Sequence, residues 1–117
     1  MPLIPAFKKN EDLVNEMLSA PDDDSLHIGW LGQSGYLLHS NGIYFLIDPF
    51  LSDSLTLKYA ATDKPHVRMS EKVLDPSALH FINFVSSSHN HTDHLDADTL
   101  IPILKNNPGI KFIIPEA

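Results

Sequence analysis

The spacing of apolar positions changes several times along the chain, and each change marks an element. Asn10 precedes Glu11-Asp12 and the apolar set Leu13, Val14, Met17 and Leu18, which fall on one side of a helix. An acidic first turn suits the positive end of the helix dipole, so Asn10 is expected to cap a helix that stops before Pro21. Ser25 to Leu31 alternates instead, which puts Leu26, Ile28 and Trp30 on one face of a half-buried strand. Gly32-Gln33-Ser34-Gly35 breaks that strand. Tyr36 to His39 and Ile43 to Ile47 then flank Asn41-Gly42, a pair that accepts positive φ at both centres of a tight hairpin. The pattern predicts a meander in which Leu26, Ile28 and Trp30 share a face with Tyr36, Leu38, Tyr44 and Leu46.

Asp48-Pro49 stops the last meander strand, and from Phe50 to about Lys72 neither period holds, over a length that suits a binding loop. Asp75-Pro76-Ser77-Ala78-Leu79 reads as a short helical start with proline in its first turn. Phe81 to Val85 reads as a buried strand bounded by Ser86-Ser87-Ser88. Asp96 or Asp98 caps a helix through Leu100, Ile101, Ile103 and Leu104, which ends near Asn107-Pro108-Gly109 before a last strand, Lys111 to Ile114. Pro102 falls in the first turn of that helix if Asp98 is the cap.

Composition narrows the function classes. A chain of 117 residues with 43% apolar content makes one domain with a core of its own. Its 15 acidic and 8 basic residues give a formal charge of −7, and Arg68 is the only arginine, so the electrostatic footprint of a nucleic-acid binder is missing. Asp22-Asp23-Asp24 reads as a solvated acidic turn. No apolar run approaches the roughly 20 residues that span a bilayer, so a soluble, cytoplasmic protein with no membrane partner is expected. There is no cysteine, and any metal site must be built from imidazole and carboxylate.

Those donors are concentrated in Ser88-His89-Asn90-His91-Thr92-Asp93-His94. On a helix, at roughly 100° per residue, His89 and Asp93 would share one side while His91 and His94 lay well away, so the segment must be a loop. In an extended start His89 and His91 point the same way, and a turn through Thr92-Asp93-His94 swings Asp93 and His94 toward a neighbouring position, as a two-metal hydrolase needs. Its place directly after a buried strand suits an α/β site, which sits at strand carboxyl ends. The scattered His27, His39, His66 and His80 read as structural or surface residues.

The run Ser88 to Asp96 resembles the His-x-His-x-Asp-His signature of the metallo-β-lactamase superfamily, and Leu46-Ile47-Asp48-Pro49 resembles that family's first motif. Gly32-Gln33-Ser34-Gly35-Tyr36, Ile47 to Ser54 and Val67-Arg68-Met69 resemble its ascorbate-6-phosphate lactonase branch, so the likeness covers about residues 25 to 115. The resemblance implies an α/β chain that forms the N-terminal half of a four-layer αββα metallo-β-lactamase fold, mostly a β-meander plus a β-loop-α-β unit. It implies a helical extension over 1–24 and the first half of the sandwich over 25–117. It further implies two divalent metal ions, zinc or manganese, with His89 and His91 on the first and Asp93 and His94 on the second. Asp48 would orient the site, and Asp93 would also take a proton from the attacking water.

The activity implied is metal-dependent hydrolysis of a small molecule, a lactone of a phosphorylated sugar acid, with Lys58, Lys64 and Arg68 of the long loop as candidates for the substrate phosphate. A metallo-phosphodiesterase on the same fold, or a catalytically incomplete fragment that acts as a metal-binding or interaction module, are the alternatives. Members of the superfamily carry further ligands beyond this stretch, so the expectation is a missing C-terminal half, or self-association over the apolar sheet face.

Overall fold

The computed structural model describes residues 2–116; Met1 and Ala117, the two ends of the expected 1–117 span, lie outside them. Helix α1 (Asn10–Ser19) leads into an antiparallel meander of β1 (His27–Trp30), β2 (Tyr36–Ser40) and β3 (Ile43–Ile47). Helix α2 (Ser54–Tyr59) and a 3-10 turn (Pro76–Ala78) lie on the way to β4 (Phe84–Ser86), and α3 (Ala97–Asn106) connects β4 to β5 (Lys111–Ile113). The strands form one sheet in chain order, with β3, β4 and β5 parallel. The expected meander followed by a β-loop-α-β unit is the architecture found.

Local chemistry accounts for the turns. Asn41 and Gly42 take φ of 50° and 75°, the left-handed pair of a two-residue hairpin, and Ser40 pairs with Ile43 across it. Asp75 caps the 3-10 turn, its side chain accepting from the Ser77 N–H, with Pro76 at the first position, as expected. At Gly29 a Cβ would stand 3.6 Å from Leu13 Cδ1 and 3.8 Å from Met17 Sδ, so β1 presents a nearly bare backbone on which α1 lies. Leu13, Met17, Leu31, Leu37, Leu46, Val85, Leu100 and Ile103 form the core between the sheet and these helices.

The hairpin register corrects the predicted faces. A two-residue turn pairs Leu38 with Phe45 and Leu37 with Leu46, so residues of opposite parity share a face across it. Leu46 is therefore fully buried, and Tyr44 packs on the same core side, rather than beside Ile28 and Trp30. The other face carries Ile28, Trp30 and Tyr36, all substantially exposed, with Leu38, Phe45 and Phe84 partly covered. Next to it, Ile4 to Phe7, Ile28, Trp30, Val67 and Met69 border an apolar groove of about 1040 Å³.

Element bounds differ in several places, most by a residue or two at strand ends. Lys9 occupies the N-cap of α1 and no side chain caps it; Asn10, at φ 53°, is the first helical residue, and its N–H goes to the Val73 carbonyl. The 50–72 stretch contains α2, whose six residues bury only Leu55 and so leave too short a pattern to read. The buried strand expected at Phe81 to Val85 is narrowed to Phe84–Ser86, because Ile82 gives its N–H to Asn107 Oδ1 instead of to a strand. Asp96, not Asp98, precedes α3, which puts Pro102 inside the helix, past its first turn.

The two faces make different predictions for truncation. Leu37→Ala should cost about 2–5 kcal/mol by removing a fully enclosed side chain, whereas Ile28→Ala should cost less than about 1 kcal/mol. Urea unfolding of the two variants checks this, and equal losses would contradict the register.

Candidate metal centre

The histidine loop leaves the carboxyl end of β4 beside the carboxyl end of its parallel neighbour β3, which places Asp48 and Ser87-Ser88 side by side. Asp48 N–H continues the ladder to the Ser86 carbonyl at 2.9 Å, and Ser87 N–H goes to Ile113 O at 3.1 Å. Between these points the chain turns tightly: His94 and Leu95 both donate their N–H to the His91 carbonyl, at 2.9 and 2.8 Å. That turn brings the three predicted imidazoles together, with ring centroids 4.6 Å apart for His89 and His91 and 4.0 Å apart for His89 and His94. Asp93 Oδ2 lies 3.5 Å from His94 Nε2, and the Asp93 carbonyl accepts from Ser34 Oγ at 3.4 Å.

Asp48 organises the cluster from below. Its Oδ1 accepts the Ser88 N–H at 2.6 Å, and its Oδ2 accepts from Ser88 Oγ at 2.7 Å and from His94 Nδ1 at 2.9 Å. Burial alone would push this carboxyl up, but hydrogen bonds from Ser88 and His94 outweigh it and hold Asp48 below the ordinary aspartate value. Because the Ser88 hydroxyl donates to Asp48, its oxygen is left to accept from His89 Nδ1, 2.9 Å away. With Nδ1 engaged in this way, a neutral His89 or His94 presents its lone pair on Nε2.

That is the donor form a transition-metal ion takes from histidine, and an outer partner on the far nitrogen is the usual way to fix it. The donor set, imidazole with a neighbouring carboxylate, therefore fits zinc or manganese in its chemistry. Among the described residues no three of these side chains converge as a formed coordination shell, so the fit is one of donor type and tautomer.

The candidate phosphate residues separate. Lys58 and Lys64 are exposed on the 54–64 stretch, whereas Arg68 is buried, with Nη2 donating to the carbonyls of Phe50 at 3.3 Å and Ser52 at 3.0 Å. Burial lowers the Arg68 pKa, and the carboxylates of Asp53 and Asp96 offset part of that. Among the other histidines, His39 is buried, stacked on Tyr44 at 4.2 Å and 3.3 Å from Asp22 Oδ1, and His27 stacks on it in turn.

Three residues near the loop escaped the sequence reading as parts of the site. Ser88 bridges Asp48 and His89, Ser34 touches the Asp93 backbone, and Asp96 is buried with its carboxylate bonded to Ser52 and Ser54. The signal available for Ser88 was its place between the strand and His89; for Asp96 the reading stopped at helix capping.

Comparison with known proteins shows the family. A family profile described as Beta-lactamase superfamily domain matches residues 27–111. The chain is 32% identical over 117 residues to the N-acyl-phosphatidylethanolamine-hydrolyzing phospholipase D 1 of Caenorhabditis elegans, covering 96% of this chain and 32% of that protein. It is 28% identical over 124 residues to the probable L-ascorbate-6-phosphate lactonase UlaG of Escherichia coli, covering 92% and 34%. The chain thus spans about a third of the length of the curated relatives it matches.

Asp48 should link the centre to pH. A carboxyl whose pKa is depressed on folding contributes stability that is present in full above its unfolded value of about 4 and is lost as pH falls through the folded value. Asp48→Ala should cost roughly 1–2 kcal/mol at neutral pH by removing the acceptor of three partly buried hydrogen bonds, and the gap from the parent should close under acid below about pH 4. Denaturant unfolding of both proteins across that range checks it; a gap unchanged by acid would contradict the assignment.

Proposed function

The chain belongs to the β-lactamase superfamily, and from that premise we propose that His89, His91, Asp93 and His94 hold divalent ions, zinc or manganese, in a hydrolase that opens a lactone of a phosphorylated sugar acid. The observation that supports the reading is the pair of contacts at Nδ1: Asp48 Oδ2 stands 2.9 Å from His94 Nδ1 and Ser88 Oγ 2.9 Å from His89 Nδ1, which leaves each Nε2 free to face an ion. Bound ions would supply polarisation of the substrate carbonyl and a lowered pKa for the attacking water. Within the chain, Asp48 keeps His94 in its orientation, and the Ser34 hydroxyl steadies the Asp93 backbone. The Asp93 carboxylate, partly exposed beside His94, accepts the proton of the attacking water. Exposed Lys58 and Lys64 draw in the substrate phosphate, a role that the inward guanidinium of Arg68 leaves to them. In this reading residues 1–24 are a helical extension and 25–117 the first part of the sandwich.

A second substrate class has support of its own. The similarity to a phospholipase D extends over 96% of this chain, which favours cleavage of a phosphodiester on the same scaffold. The chemistry asked of the chain is the same in either case, because an attacking water and a polarised oxygen serve a lactone carbonyl and a phosphoryl group alike.

Titration with zinc, followed by metal analysis after dialysis, tests the ligand set. His89→Ala and His91→Ala should lose bound metal, and His27→Ala, on the stacked pair away from the loop, should retain it. Equal retention by all three would sink the assignment. Hydrolysis by the metal-loaded protein should be faster on a sugar-acid lactone phosphate than on an aryl phosphodiester, and the reverse order would favour the second class.

A further inference from the structure

Two residues beyond the last candidate ligand, the carboxylate of Asp96 is 2% exposed. Its Oδ2 accepts from Ser52 Oγ at 2.6 Å and from Thr99 Oγ1, and its Oδ1 accepts from Ser54 Oγ at 2.8 Å. Thr99 Oγ1 in turn accepts the Leu51 N–H at 2.9 Å. None of this serves to cap α3, since the Asp96 backbone carbonyl receives the first helical N–H groups and its side chain makes no cap bond. The side chain is aimed across the gap, at the segment that follows β3.

A buried carboxylate is costly unless charge and hydrogen bonds compensate it. Arg68 supplies the charge: it is 6% exposed, and Asp96 is among the carboxylates whose field it feels. Its Nη2 grips the carbonyls of Phe50 and Ser52, on either side of Leu51, while Nε stands 3.6 Å from Asp53 Oδ1. Among the described residues Nε and Nη1 have no hydrogen-bond partner, so the guanidinium is held inside by these two carbonyls, the Phe50 ring at 5.2 Å and the neighbouring carboxylates.

We infer that Asp96, Ser52, Ser54, Thr99 and Arg68 form a positioning clasp that fixes the 50–54 segment against the exit of the histidine loop. Asp96 and Arg68 then act on the metal centre through the backbone, touching neither metal nor substrate. The reason is mechanical. The segment begins at Asp48, which holds Ser88 and His94, and a single attachment there would leave it free to pivot at its end. The bonds to Asp96 give the same two segments a second attachment, beyond His94, and so set the distance between Asp48 and the imidazoles it orients. The inference rests on the proposed metal-binding reading for its functional consequence, but the clasp itself can be tested without metal.

The experiment uses the full chain and cobalt(II) as the probe, with amide hydrogen exchange measured on the metal-free protein. Ser52→Ala/Ser54→Ala and Arg68→Lys should weaken cobalt binding about tenfold or more, the size of effect expected of groups that orient ligands. They should also speed exchange at Ser88, His94 and Leu95 while leaving Ile103 and Leu104 in α3 unchanged. Ser54→Thr, which keeps a hydroxyl, should leave both as in the parent, and Ser54→Ala alone is the mildest variant if the double change unfolds the chain. Exchange that quickens only within α3, with cobalt affinity held within about twofold, would overturn the clasp. If the parent binds no cobalt, the metal-centre reading fails, and the exchange pattern at residues 88–95 decides the clasp by itself.

Discussion

The site hangs on one carboxylate held in an uncommon backbone conformation. Asp48 has φ of 44°, in the left-handed region, directly after the last β3 residue and directly before a proline. Such a conformation costs on the order of 1 kcal/mol for a residue with a side chain, less for Asp than for most. It persists because the turned carboxylate collects three hydrogen bonds from the histidine loop, one of them from a ligand candidate. A straight continuation of β3 would have carried the side chain past Ser88. Strain at the strand end and order in the loop are therefore the same fact, and the parallel pairing of β3 with β4 is what brings the two segments within reach.

The pairing in turn depends on how the sheet divides its faces. The meander is antiparallel and locally encoded, but β3 and β4 are joined by a crossover of more than thirty residues, which must return the chain in the same direction. Packing pays for that closure: Leu37, Leu46 and Val85 line one face and bury against α3 and α1. Gly29 lets α1 approach because it offers no Cβ to the helix. The opposite face carries Ile28, Trp30, Phe45 and Phe84, with the last two rings stacked at 5.7 Å across the parallel pair. Apolar residues thus occupy both faces of the same strands, which is the pattern of a layer inside a sandwich.

Much of this was legible in the sequence, for reasons that can be named. Asn41-Gly42 fixed the hairpin because few pairs accept two positive φ values, and the density of histidine and aspartate at 89–94 marked the loop because no single helix face can gather them. The face assignment of Tyr44 and Leu46 failed because alternation was carried through the turn without the change of parity that a two-residue loop imposes. Helix α2 was hidden by its length, and the strand read at Phe81 to Val85 was found with shifted bounds, because only the last two residues of that apolar run pair, together with Ser86. Asp96 was the least legible of all. Its partners, Ser52 and Ser54, lie more than forty residues away, and nothing local separates a buried carboxylate from an ordinary helix cap.

Arg68 shows how charge placement follows from the chemistry of the two cationic side chains. In a chain of net charge −7, the one arginine is inside and all seven lysines are at least partly exposed. An ammonium is a compact, strongly hydrated charge and is costly to bury, whereas a guanidinium is weakly hydrated and presents its donors in a planar fork. The second can serve two backbone carbonyls and lie against an aromatic ring at lower desolvation cost, as Arg68 does with Phe50, Ser52 and the Phe50 side chain. The long stretch after β3 is thereby split in function. Its start, around Phe50 to Ser54, is tied to the core by buried polar bonds, while the part that carries Lys58 and Lys64 faces solvent. The buried polar bonds thus lie next to Asp48, which holds His94, and the exposed lysines lie farther along the chain.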